Sequence, residues 1–316
     1  MKIPQNKNRT VGWTDGRTAG RTDGRTDGGS ETSALEPGGR RADWNPTLPI
    51  RWVLLDVDGT LVGPSGTVTD VVAEATRALA ATGVAVGYAT GRNVAGVVDV
   101  HGRLGLSGPH VVLNGAQVRQ DGRAVVTRAL TDEHLAEILQ LCDAEGLYAE
   151  LYTDEGFLVT AMDERYRPHW DEVIGQPIGT IETHPPAPGE VIKATIVAHT
   201  DAELVSVVDA VTALGLSAGA ATSPVTPGLT YVNITRGDVD KGTAILATAE
   251  AMGIDPSQIA VVGDGANDLP MMGVVGTAIA MGDAPQPVRD AAHLVTDVVL
   301  NDGAAVALHD LLTWAC

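Results

Sequence analysis

Short apolar runs alternate with helical segments along most of the chain. WVLLD (52–56) has the aliphatic content of a strand buried on both faces, and DVVAEATRALAATG (70–83) has the spacing of a helix closed by glycine. VAVGYAT (84–90) predicts a second strand, followed by a helix to about Leu104, and HVVLNG (110–115) predicts a third. The pattern then changes. QVRQDGRAVVTRAL (117–130) places an Asp-Gly turn between two alternating segments and reads as a hairpin. A helix should start at Thr131, with strands in YAELYTDEGFLVTA (148–161) and a helix near 163–174. After a proline-rich link, strand VIKATIVA (191–198) leads to a helix opened by the capping box Thr200-Asp-Ala-Glu203, then to strand LTYVNI (229–234). KGTAILATAEAMG (241–253) and IAVVG (259–263) return to the first style, a helix and then a buried strand. Alternating strands and helices signal an α/β fold with a largely parallel sheet. The expected organisation is a core of 49–116 and 231–316, interrupted by an α+β insertion over 117–230.

Residues 1–48 form no part of this pattern. GWTDGRTAGRTDGRTDGG (12–29) repeats Gly-Arg-Thr-Asp, with glycine at every fourth position and no apolar face, and is expected to be a disordered tail. Folding should begin near Leu48. Charge sharpens the reading. The formal net charge is −19, and residues 51–316 alone carry 13 basic against 34 acidic side chains. So acidic a body argues against nucleic acid or an anionic membrane as partner. No apolar stretch is long enough to span a bilayer. The two cysteines, Cys142 and Cys316, have no metal or redox spacing, which fits a reduced, cytoplasmic compartment.

Candidate chemistry gathers where strands end. In open parallel sheets, ligands bind beyond the carboxyl ends of the strands. Asp56 and Asp58 follow the first strand, Thr90-Gly91-Arg92 the second, and Gly-Asp-Gly-Ala-Asn-Asp, with Asp264 and Asp268, follows IAVVG. Lys241 opens a helix, where the positive end of the helix dipole repels it; an anion at that point would reconcile the two. Carboxylates, a lysine, a threonine hydroxyl and a helix N-terminus on one sheet edge suit a phosphate and a divalent metal. Mg²⁺ prefers such hard oxygen ligands. A dication would also neutralise the repulsion between Asp56 and Asp58 and keep one carboxylate ionised as a nucleophile. Gly59 permits close backbone approach, and Thr60 can fix the loop through its hydroxyl.

The set DVDGT (56–60), Thr90, Lys241 and GDGAND (263–268) resembles the four motifs of the haloacid dehalogenase (HAD) superfamily. The TGR form of the second motif, NGA (114–116) and the long insertion before the lysine further resemble its Cof-type subclass IIB phosphatases. MGDAP (281–285) departs from that family's Met-Gly-Asn-Ala by carrying Asp283 in place of the asparagine. The resemblance implies a Rossmann-like parallel core with an inserted α+β cap. It implies a Mg²⁺-dependent phosphatase acting on a small phosphorylated metabolite through a phosphoaspartyl intermediate. Asp56 would be the nucleophile and Asp58 the general acid and then base. Thr90 and Lys241 would hold phosphoryl oxygens. Asp56, Asp58 (through its backbone carbonyl), Asp264 and Asp268 would hold the metal. Gly59, Thr60, Gly91, Arg92, Asn114 and Asn267 complete the expected phosphate- and substrate-binding set. Tyr152, Arg165, Arg167, His169, Trp170 and Lys193 are candidate cap contacts. A phosphomutase of the phosphomannomutase kind and a non-hydrolysing phospho-ligand sensor are the alternatives. A response-regulator phosphoacceptor also combines Asp, Thr and Lys, but it lacks such an insertion and the Asp-x-Asp-Gly-Thr string.

Overall fold

A computed structural model describes residues 35–41, 44, 49–106, 108–223 and 225–314. The repetitive segment 12–29 therefore lies outside the described residues. In chain order the strands are β1 (Trp52–Leu55), β2 (Ala85–Tyr88), β3 (His110–Val112), β4 (Gln117–Gln120), β5 (Arg123–Thr127), β6 (Tyr148–Tyr152), β7 (Phe157–Val159) and β8 (Gly179–Thr180). They continue as β9 (Lys193–Ala198), β10 (Leu216–Thr222), β11 (Thr230–Arg236), β12 (Ile259–Gly263), β13 (Thr277–Ala280) and β14 (Leu294–Val295).

The first architecture is a parallel sheet in the order β14-β13-β12-β1-β2, which β3 extends through a single bridge between Ala89 and Val111. Every residue of β1, β12 and β13 is buried. That explains their unbroken apolar runs, because helices cover both faces of a parallel sheet. Register decides the site. Leu55 of β1 lies opposite Val262 of β12, and the Asp56 amide continues the ladder to the Val262 carbonyl at 2.8 Å. Asp56 and Asp264 thus leave neighbouring strands at the same edge.

The second architecture is a six-stranded sheet, β10-β11-β9-β6-β7-β8, antiparallel except where the short β8 pairs parallel with β7. Its two faces divide by alternation. Ala149, Leu151, Ala194, Ile196, Val232 and Ile234 form one apolar core with residues of the helices Asp132–Glu145 and Asp201–Ala213. Tyr148, Glu150, Tyr152, Lys193 and Thr195 occupy the opposite face, paired as Glu150↔Thr195 and Tyr152↔Lys193. The hairpin β4–β5 pairs instead with β3, forming a third, three-stranded sheet.

Three differences from the sequence reading have physical causes. The helix expected near 163–174 is broken into short turns, Glu164–Tyr166, Arg167–His169 and a wide turn Trp170–Ile174. Pro168 can begin a helix but cannot continue one, which accounts for the break. Packing also starts upstream of Leu48. The Gly38 and Arg41 amides bond to the carbonyls of Val295 and His293, and Trp44 donates from Nε1 to the Gly276 carbonyl at 2.9 Å. Gly38, Arg40 and Arg41 thus line the open edge of β14, far away in sequence. Finally, β10 has no counterpart in the sequence reading, because LSAGAAT lacks the side chains that signal a strand.

Candidate active site

The loop after β1 is shaped by its glycine. Gly59 has φ +82°, and a β-carbon there would lie 2.3 Å from Asp264 Oδ2. Only glycine gives both the left-handed backbone and the space for Asp264 to approach. Thr60 Oγ1 then donates to Asp264 Oδ1 at 3.3 Å, tying the first motif to the last.

The helix Lys241–Met252 is capped by Asp240, whose carboxylate accepts from the Thr243 amide at 2.7 Å while Thr243 returns the bond. The helix start is brought close by Gly115 (φ +100°), where a β-carbon would meet the Asp240 carbonyl oxygen at 2.1 Å. Lys241 is fully buried. Its Nζ bonds to Asp56 Oδ1 at 2.5 Å and to Asp268 Oδ1 at 2.7 Å. The lysine that looked misplaced in the first turn therefore already has two anions of the protein itself beside it. Asp268 also accepts through Oδ2 from the amides of Asp264 (3.0 Å) and Gly265 (2.9 Å).

Asp56, Asp264 and Asp268 each present an oxygen within 4.8 Å of the others. Three carboxylates against one ammonium leave the cluster short of positive charge. Burial, then the negative charge of Asp268, pushes Asp264 up to about 6. Burial likewise raises Asp56, opposed by Lys241. Burial alone would lower Lys241, but Asp56 and Asp268 outweigh it and raise it above the usual lysine value. An all-oxygen donor set with a deficit of positive charge fits a hard divalent cation. The side chain of Asp58 is not part of this cluster.

Thr90 is buried, and its hydroxyl oxygen accepts from the Arg92 amide at 3.1 Å, which leaves its proton free for a ligand oxygen. The 90–92 loop is clasped by the NGA segment: the Asn114 amide donates to the Thr90 carbonyl and the Leu113 amide to the Arg92 carbonyl, both at 3.0 Å. Leu113 and Asn114 take positive φ to make these bonds. Asn267 donates from Nδ2 to Asn114 Oδ1 at 3.4 Å, so these two expected ligands meet each other. Arg92 is turned toward Asp58, donating from Nε at 2.8 Å and from Nη2, and its Nη1 donates to the Gly96 carbonyl at 2.8 Å. The sequence offered Arg92 as a phosphate ligand; its pairing with Asp58 was not legible there.

Among the candidate cap contacts, Arg165 and Arg167 pair locally with Asp163 and Glu164. Tyr152, His169, Trp170 and Lys193 are buried on the open face of the antiparallel sheet. Glu150, absent from the sequence-based candidates, is buried at the centre of this group; a glutamate among strand residues that are otherwise apolar or aromatic was the available signal.

The sequence model of the haloacid dehalogenase-like hydrolases matches residues 53–308, and the chain belongs to that family. It is an enzyme of the hydrolase class. It is similar to a phosphoglycolate phosphatase of Methanopyrus kandleri, 28% identical over 261 residues covering 82% of this chain and 96% of that protein. Its fold is similar to that of BT4131, described as a subclass IIB sugar phosphatase, with TM-score 0.70 and 23% identity over 82% of this chain and 98% of the other. BT1666, a HAD phosphatase from Bacteroides thetaiotaomicron, matches with TM-score 0.67 and 24% identity over 86% and 99%. The family and the two-part fold expected from the motifs are both borne out. Among the described residues, no helix is long and apolar enough to cross a membrane.

Proposed function

We propose that the protein is a phosphatase that hydrolyses a small phosphate monoester through a phosphoaspartyl intermediate on Asp56. The observation that carries this reading is the convergence of Asp56, Asp264, Asp268 and Lys241 at the carboxyl edge of the parallel sheet. A carboxylate of Asp56 attacks phosphorus as the bond to the leaving alkoxide breaks, and Asp58 gives that oxygen its proton. Water then attacks the acyl phosphate and loses its proton to Asp58, and inorganic phosphate leaves. Lys241 and the Thr90 hydroxyl stabilise the charge that builds on the phosphoryl oxygens.

Asp56, the Asp58 backbone carbonyl, Asp264 and Asp268 would hold Mg²⁺. When bound, the ion neutralises the phosphate and the carboxylates that face it. The relative named for phosphoglycolate and the structural neighbour described as a sugar phosphatase support a small, soluble ester as substrate. By analogy with subclass IIB, the antiparallel sheet acts as the cap that excludes water over the bound ester.

The test is phosphate release from a panel of small esters with Mg²⁺, beside Asp56→Asn. Release that falls by at least roughly a thousandfold in Asp56→Asn supports the reading, because removal of a nucleophile abolishes the covalent route. Turnover that produces an isomeric phosphate ester without free phosphate would establish a mutase instead. A folded, Mg²⁺-binding protein that releases phosphate from nothing would overturn the proposal.

A further inference from the structure

Lys193 opens β9, on the polar face of the six-stranded sheet, and is 5% exposed. Its Nζ makes one hydrogen bond, 3.4 Å long, to the carbonyl of Gly91. Gly91 lies between Thr90 and Arg92 on the catalytic loop. The ammonium also sits 4.6 Å from the ring centre of Tyr152. Glu150 is the acidic group acting on it, through space rather than through an ion pair among the described residues. The Glu150 carboxylate accepts from the tyrosine hydroxyls instead, from Tyr152 at 2.6 Å and from Tyr148 at 3.4 Å. An ammonium has three donors. One long bond and a ring face leave this buried charge poorly satisfied, a costly arrangement unless a ligand completes it.

The neighbouring cations have their donors placed. Arg92 is held by Asp58 and the Gly96 carbonyl, and Arg119 by Asp154, Gln117 and the Gly122 carbonyl. Burial moves Lys193 down to about 8 and Glu150 up to about 7, so Glu150 balances Lys193 incompletely near neutrality. A neutral hydroxyl would satisfy a donor but not the charge. A carboxylate satisfies both, with a charge-assisted bond about twice as strong as a neutral one.

We propose that Lys193 is the specificity-determining contact for the leaving group, and that the enzyme prefers phosphate esters of short hydroxy acids, whose carboxylate Lys193 binds. The inference rests on the phosphatase reading above. Consecutive Cα atoms are about 3.8 Å apart, so a group anchored beside Gly91 is close to the phosphoryl pocket at Thr90. A short ester, with one or two carbons between carboxylate and ester oxygen, suits that proximity.

The experiment compares kcat/KM for 2-phosphoglycolate with kcat/KM for 2-hydroxyethyl phosphate, which differ only in carboxylate against hydroxymethyl. The wild-type enzyme should prefer the carboxylate ester, and Lys193→Met should reduce that preference by about 50-fold or more, the scale of losing a buried charge contact. Lys193→Arg should restore part of it. No wild-type preference, or an equal loss on both esters in Lys193→Met, would overturn the inference. If Lys193→Met does not fold, competitive inhibition of the wild type decides: glycolate must inhibit more strongly than ethylene glycol. Turnover of p-nitrophenyl phosphate and neutral esters without the carboxylate ester refutes this inference alone. Failure on all of them refutes the phosphatase reading.

Discussion

Replacing Lys241 with methionine keeps most of the side-chain volume and removes the ammonium. In the wild type that ammonium is 0% exposed, and its partners Asp56 and Asp268 are 7% and 0% exposed. Water cannot take its place. Removing one partner of a buried charge pair costs about 3–5 kcal/mol. At roughly 2–4 °C per kcal/mol for a domain of this size, Tm should fall by about 6–20 °C in EDTA at pH 8. The pH dependence has a definite sign. Lys241 is raised in the folded protein, so its contribution is complete below the unfolded lysine value of about 10.4 and constant across neutral pH. In Lys241→Met Asp56 loses that counter-charge, and its folded value, already raised by burial, rises further. A raised carboxylate stabilises below its unfolded value of about 4 and loses that contribution as pH rises through the folded value. The deficit of the variant should therefore shrink between pH 8 and pH 5, and Mg²⁺ should restore part of it at pH 8. Thermal unfolding at both pH values, with EDTA and with Mg²⁺, measures all of this. A Tm within about 2 °C of wild type in EDTA at pH 8 would refute the claim that Lys241 balances a buried negative cluster.

Two further outcomes are expected. Gly59→Ala would force a β-carbon to within 2.3 Å of Asp264 Oδ2, and a shift of about 1 Å in that carboxylate should cost about 100-fold in kcat/KM. Its Tm should fall only modestly, since left-handed strain costs about 1–2 kcal/mol; unchanged kinetics would show that the Gly59–Asp264 approach does not matter. Calorimetry of Mg²⁺ binding should show affinity falling below about pH 6, because protons compete for Asp264, whose burial raises it to about 6. The metal-free protein should show the reverse trend in stability, gaining as pH falls through 6 toward 4. Affinity independent of pH from 5 to 8 would remove Asp264 from the metal site.

Much of this protein was legible along the chain, for reasons that are local. A strand in a covered parallel sheet must be apolar at every position, so WVLLD and IAVVG stand out, and aspartates directly after them must lie at the sheet's carboxyl edge. Lys241 could be singled out because a lysine opposes the dipole in a first helical turn. Other features depend on partners far away in sequence. Lys241 holds Asp56 across 185 residues, and Arg92 turns to Asp58 across 34. The packing of 35–41 and Trp44 depends on an edge at β14, and strand β10 exists because β11 supplies its partners. Glu150 and Lys193 stand 43 residues apart, and nothing local links them. Only the pairing of β6 with β9 puts them on one buried face, and only the closure of that face over the 90–92 loop brings the lysine to Gly91. Local order follows from local sterics and hydrophobicity. Which charges are buried, and what they meet there, is decided by tertiary packing.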